Sequence, residues 1–200
     1  MSFPVKRSLV AAILLGSVYT TGAQATQIID FSTLPQESVD GVTADGVTFG
    51  YSEFGSSSPS AFFDEAVGAG NTVLVGPTAL VGAADGVLTM SFASPVAGIS
   101  FPVALTTNMS LTPGFSVTVF DAGGNVLDSA NIDTSVLANF SEGEFSYNGA
   151  DASSVAITFD SVDANEFALG SVEIPEPGDI GFLAVGLMAL GAMVVTRRRA

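Results

Sequence analysis

Phe115-Ser116-Val117-Thr118-Val119 places an apolar side chain at every second position and a hydroxyl between each pair. Successive side chains of a β-strand point to opposite faces, so this stretch has one dry face and one wet face. A helix would need apolar residues three or four apart, and no long run of that spacing occurs in the middle of the chain. The alternation returns in Leu88-Thr89-Met90-Ser91-Phe92, in Ile99-Ser100-Phe101-Pro102-Val103 and in Val155-Ala156-Ile157-Thr158-Phe159. Further strands are expected at residues 28–31, 47–51, 72–75, 125–132, 144–147 and 167–174, with one short helical turn at 134–140. Asp45-Gly46, Asp85-Gly86 and Gly123-Gly124-Asn125 supply turn chemistry between them. About ten short strands separated by such turns predict an all-β fold, an antiparallel β-sandwich of jelly-roll type.

Residues 26–174 hold this pattern without a charge block or Pro-rich linker, which predicts one domain of ordinary length. Cysteine is absent, so no disulfide braces the fold, and Val, Ile, Leu and Phe must supply a packed core. Eighteen acidic residues lie from Asp30 to Glu173 with no Lys, Arg or His among them. Such a domain repels a phosphate backbone instead of releasing its counterions, which excludes nucleic acid as a partner class.

All five basic residues sit at the two ends. Lys6 and Arg7 precede a short apolar run, and Ala23 and Ala25 close it with small residues. A cationic start, an apolar stretch too short to span a bilayer and an Ala-x-Ala ending are the parts of a signal peptide, residues 1–25. Signal peptidase is expected to cut after Ala25 and leave Thr26 as the first residue. At the other end, Pro175-Glu176-Pro177 leads into the uncharged residues 180–196 and then into Arg197, Arg198 and Arg199. That run is long enough for one transmembrane helix, and the arginines hold its end on the cytoplasmic side. The domain therefore faces outward from an inner-membrane intermediate. The two prolines present Glu176 in an extended backbone, the shape a peptidase binds.

The tail, residues 175–200, resembles the sorting signal of the PEP-CTERM proteins of Gram-negative bacteria. Its three parts are Pro175-Glu176-Pro177, the uncharged run and Arg197-Arg198-Arg199. The resemblance implies removal of the tail by an exosortase and delivery to the cell surface or the extracellular matrix, in bacteria that make exopolysaccharide. A plain single-span membrane anchor is the alternative reading. Within the domain, Gly46-Val-Thr-Phe49, the run from Leu88 to Val96, the run from Val117 to Val126 and the closing Phe167–Ile174 phrase look like galactose-binding-like jelly rolls. The chain departs from that pattern at Gly170-Ser171, where such domains often carry Asp-Asn.

The residue inventory narrows the chemistry further. Without His or Cys, and without Lys or Arg in the domain, there is no Ser-His-Asp or Cys-His arrangement, no Schiff-base lysine and no histidine-ligated zinc. A non-catalytic role is expected, structural or adhesive at the surface or in the matrix. The alternative is a carbohydrate-binding module, and a weaker one is a glycosidase working with carboxylates alone. For sugar binding the candidate aromatics are Phe54, Phe62 and Phe63 in a Ser/Gly-rich segment, with Phe62 and Phe63 read as core or neighbouring-strand residues. For calcium, a hard cation that takes carboxylate oxygens, the candidate set is Asp30, Asp160 and Glu173, which would meet if the terminal strands pair. Asp121 to Asn125 is read as a hairpin turn before a ligand loop.

Overall fold

The computed structural model describes residues 26–64 and 72–175. In chain order its strands are β1 (Thr26–Ile29), β2 (Thr43–Ala44), β3 (Val47–Glu53), β4 (Ser56–Ser57), β5 (Ala61–Asp64) and β6 (Ala79–Ala83). They are followed by β7 (Val87–Leu105), β8 (Leu111–Phe120), β9 (Val126–Val136), β10 (Ser141–Phe159), β11 (Glu166–Leu169) and β12 (Val172–Pro175). A single 3-10 turn, Phe31–Thr33, follows β1. Every pairing between these strands is antiparallel.

Two strands of nineteen residues, β7 and β10, pair along their length and belong to both layers of the sandwich. The first half of β7 pairs with β3, Val47 to Phe92 and Ser52 to Val87, while the second half of β10 pairs with β8. The other halves pair with each other from Gly98 to Leu105, and there β11 and β12 run along the free edge of β7. Beyond β11 lie β6 and β5, and beyond β12 lies β1. The register shifts between Asn148 and Ser154 mark where the long pair turns from one layer to the other. Strands that switch sheets through bulges make the corners of such sandwiches. This is the all-β, jelly-roll-like sandwich the alternation predicts.

The core explains the alternation. Phe115, Val117 and Val119 are all buried, and the hydroxyls between them are not. Phe31, Phe49 and Phe63 meet edge to face or tilted, with centroids 5.4–6.0 Å apart, a geometry that aromatic quadrupoles favour. Phe159 stacks on Phe167 at 3.9 Å, and Phe101 packs against Phe145.

Three local expectations need correcting. Residues 72–75 form bends, not a strand, because their backbone N–H groups are taken by a carboxylate described below. Residues 134–136 belong to β9, and a bend follows where a helical turn is expected; Thr134 is buried and bonded to Ser141 across the strands at 2.7 Å. The predicted strand pairs 88–92 with 99–103 and 144–147 with 155–159 are each one continuous strand. Among the described residues no helix is long and apolar enough to cross a membrane. The signal-peptide residues Ala23 and Ala25, and in the tail Glu176, Pro177, residues 180–196 and Arg197–Arg199, lie outside the described residues.

Candidate functional site

Two hairpins of the same length flank β3, and their chemistry differs. Ala44 pairs with Val47 across Asp45-Gly46, and Glu53 pairs with Ser56 across Phe54-Gly55. All four turn residues have positive φ: 48° and 81° in the first turn, 51° and 76° in the second. Two-residue hairpins favour this mirror-image turn because its twist matches the strands, and Asn, Asp and Gly tolerate it. Asp45-Gly46 obeys the rule. Phe54 does not, since a bulky residue at positive φ is strained by about 1 kcal/mol or more. Its ring is also 92 % exposed, so no burial offsets the strain.

Oxygen acceptors surround the base of this hairpin. The Ser58 hydroxyl lies 2.6 Å from Oε2 of Glu53, the Ser60 hydroxyl 3.2 Å from the same atom, and the two hydroxyls 2.9 Å from each other. The Ser57 hydroxyl donates to Asp40. Beneath them Tyr51 donates to the carbonyl of Ala83 at 2.5 Å, with Oε1 of Glu53 at 3.5 Å. Burial raises the Tyr51 phenol well above the ordinary tyrosine range, and the negative charges of Glu53 and Asp85 add to the rise. Tyr51 is therefore a fixed neutral donor that anchors the hairpin. The tip carries an exposed aromatic face beside a half-buried carboxylate and several hydroxyls. Such a set suits a ligand with one apolar face and a rim of hydroxyl groups.

The other sugar-binding candidates separate cleanly. Phe63 is in the core. Phe62, on the same strand β5, turns to the outer face and is 42 % exposed.

The calcium candidates are not assembled. The terminal strands do pair, so Glu173 faces Ile28 and Asp30 follows one step beyond Ile29. Asp30, however, caps the 3-10 turn by accepting from the Ser32 N–H at 2.9 Å, and bonds from Ser32 hold its carboxyl below the usual range. Asp160 lies elsewhere. Glu173 pairs with Ser100, whose other partner Ser146 is near the start of β10, whereas Asp160 stands just past the end of that strand. Asp160 accepts from the Val162 N–H at 2.9 Å and so closes its own turn. Among the described residues no group of three or more acids could hold a metal ion. Asp121 likewise makes a turn: its carboxylate receives the N–H of Gly123 and of Asn125 and the Asn125 amide, and the bonds from Asn125 hold its pKa down.

Sequence reasoning missed Glu142. It is 3 % exposed, and its carboxylate accepts from Val73 at 2.8 and 3.1 Å, from Leu74 at 2.6 Å and from Val75 at 3.4 Å. Successive backbone N–H groups make a concave anion site, here filled by a side chain of the same chain. Nothing in Ser141-Glu142-Gly143 distinguishes this acid from its seventeen fellows.

Strands β1 and β12 meet at the opposite pole. Thr26 pairs with Pro175, and Gln27 donates to the Asp45 carbonyl at 2.8 Å, tying β1 to the turn that begins β3. Phe54 lies at the other end of that strand, about 20 Å away at the usual rise per residue.

No family model matches this chain, and no curated protein does. Among solved structures it is similar to the K2 cleaved adhesin domain of Lys-gingipain, with TM-score 0.51 and 12 % identity, over 76 % of this chain and 99 % of that one. At that identity the likeness is one of fold. A fucose-binding module of Streptococcus pneumoniae matches with TM-score 0.35 and 14 % identity, over 50 % of this chain and 72 % of that one. A family 29 carbohydrate-binding module matches with TM-score 0.38 and 7 % identity, over 75 % and 89 %.

Proposed function

We propose that this is a non-catalytic, exported binding domain that adheres to polysaccharide through the Phe54 hairpin. The observation that carries the reading is Phe54 itself, a fully presented aromatic ring held at positive φ in a turn where Asn or Asp would be relaxed. Glu53 and the hydroxyls of Ser56, Ser57 and Ser60 stand beside it to meet sugar hydroxyl groups. With no side-chain cation between Asp30 and Glu173, the domain has nothing to receive a sulfate or uronate, so neutral sugars are the ligand class. Asp40, bonded by the Tyr51 N–H and the Ser57 hydroxyl, is engaged in holding local structure, which supports adhesion over hydrolysis. The Pro-Glu-Pro tail supports delivery by an exosortase to the surface or matrix, where polysaccharide is at hand.

The test separates binding from folding. Phe54→Asn gives the turn the residue it prefers and removes the ring, so the melting temperature should rise while affinity falls. Affinity electrophoresis of the mature protein through gels loaded with neutral polysaccharides reads the second effect. Loss of a stacked ring worth about 1–2 kcal/mol corresponds to a roughly 5- to 30-fold weakening. Unchanged retardation of Phe54→Asn would remove the site.

A further inference from the structure

We propose that the binding face continues from Phe54 across its pole of the sandwich to Val162, so that the domain holds a neutral polysaccharide along several sugar units and not by a chain end. The inference rests on the Phe54 reading above. Val162 is 89 % exposed, second only to Phe54 among the large apolar side chains of the described residues. It stands in the middle of the turn at residues 161–163, between β10 and β11. Turns favour Gly, Asn, Asp, Ser and Pro, whose backbones or short polar side chains suit the bend. A valine gains nothing from the turn, and here it gains nothing from burial. The turn itself is fixed. Oδ1 of Asp160 accepts from the N–H of Val162 at 2.9 Å and from that of Asp163 at 3.4 Å. The Asp160 N–H donates to the Gly114 carbonyl at 2.8 Å, and the Ala84 N–H to the Asn165 carbonyl at 2.9 Å. Ala164 is buried and roots the segment in the core. Val162 is therefore held outward on a rigid mount, as Phe54 is.

The register of the sheet puts both tips at one pole. Val87, the first residue of β7, pairs with Ser52 on one side and with Thr158 on the other. Phe54 follows shortly after Ser52, and Val162 shortly after Thr158, so both stand beyond the same end of β7 with Asp85-Gly86 between them. Two strand spacings separate β3 from β10, about 10 Å. A ring packed on Phe54 has its centre within about 4.5–7 Å of the phenyl ring, so contact with both tips takes more than one sugar unit. Charge selects the occupant. Glu53 and the exposed Asp85 and Asp163 lie beside or between the tips and offer acceptors to hydroxyl groups. With no side-chain cation between Asp30 and Glu173, a second copy of the domain, an anionic lipid surface or an anionic chain would set acid against acid. A chain of neutral sugars brings hydroxyl donors to the carboxylates and apolar ring faces to the two tips.

The experiment compares the native protein with Val162→Ser, Val162→Leu and Phe54→Asn, each expressed from the full-length precursor. Affinity electrophoresis uses gels loaded with a galactomannan, a xyloglucan and a mixed-linkage glucan. Oligomers of each polymer, from single sugars to hexamers, serve as competitors. In the native protein competition should strengthen with oligomer length. Val162→Ser should bind the polymer about three- to tenfold more weakly, the effect of partly burying one or two CH2 groups, while single sugars compete equally in both. Val162→Leu keeps an apolar tip and should bind as the native protein does. Native-strength binding by Val162→Ser, with Phe54→Asn weakened, overturns the inference and leaves the Phe54 reading intact. So does competition by single sugars as strong as by hexamers, the mark of a chain-end site, or equal weakening in Val162→Leu and Val162→Ser. Binding of the native protein to phosphatidylcholine vesicles that Val162→Ser loses, with retardation in every gel unchanged, assigns the pole to a lipid surface and overturns the inference too. Unchanged retardation of Phe54→Asn, or no retardation of the native protein in any gel, overturns the Phe54 reading itself and the inference with it.

Discussion

Glu142 shows how one acid among many acquires a structural task. Its carboxylate receives the N–H groups of Val73, Leu74 and Val75, and no cation is present to compete. Removing it leaves donors without a partner, a loss of about 1–3 kcal/mol for a buried group. Glu142→Ala should therefore lower the unfolding free energy from a urea titration by that order. Glu142→Gln should recover part of the loss, since its carbonyl oxygen can accept where Oε2 does from Val73, Leu74 and Val75, while its NH2 faces the Val73 N–H without a bond. Equal stability of both variants and the native protein would mean that water replaces the carboxylate without cost. Asp121 and Asp160 hold turns in the same way, and Asp30 holds the 3-10 turn. The hairpin turn at Asp121 is read rightly from its residues, whereas Asp30 and Asp160 are expected at an ion if the terminal strands pair; the backbone instead gives each of the three a donor close at hand. Phe54 was legible only as one of three aromatics in a Ser/Gly-rich segment. Residue type does not tell which of the three is presented; the turn's positive φ and the ring's exposure single out Phe54.

At the scale of elements, strands were legible wherever one face is dry and the other wet. The runs 88–92, 99–103, 115–119 and 155–159 all lie in strands, with their apolar members buried or facing the core. What alternation does not carry is continuity. Ser94-Pro95 and Gly149-Ala150-Asp151 interrupt the pattern, so β7 and β10 read as two strands each; in the fold these are the corners where the long pair changes layers. Pairing partners are equally silent in sequence, which is why Asp160 was grouped with residues it never meets. The Asp85-Gly86 turn was read rightly from its residue types, yet the glycine has a second reason. A Cβ on Gly86 would overlap the hydroxyl and ring edge of Tyr51. That ring is buried, packs on Phe167 at 6.0 Å and is fixed by its bond to Ala83, so it cannot swing aside. Gly86→Ala should destabilise by about 1–3 kcal/mol, the usual cost of overpacking. Tyr51→Phe in the same chain should recover part of it by removing the clashing oxygen. A thermal melt of the two variants checks both statements; no loss in Gly86→Ala would show that the start of β7 yields.

For the whole molecule the governing quantity is charge. Eighteen carboxylates between Asp30 and Glu173 face no side-chain cation, and folding brings them closer together. Their mutual repulsion opposes the compact state, as net charge far from zero does in general. Most of them are exposed or half-buried, so dissolved ions reach them and screen over about 10 Å at 0.1 M salt. The melting temperature should therefore rise steadily with sodium chloride and level off once the screening length falls below the spacing of the acids. Protonation acts in two directions: it relieves repulsion, but it also strips Asp30 and Asp121 of the bonds that hold their pKa values down. For those two groups the stability is present above the ordinary carboxylate pKa and is lost as pH falls through the lowered one. Mild acid should thus stabilise and strong acid destabilise, with a maximum between. Calcium tests whether any of this charge is organised. Because no three acids among the described residues come together, calcium should raise the melting temperature no more than sodium chloride at the same ionic strength. An extra increment specific to calcium, absent with magnesium and lost in Asp30→Asn or Glu173→Gln, would show that β1 and β12 close around an ion after all.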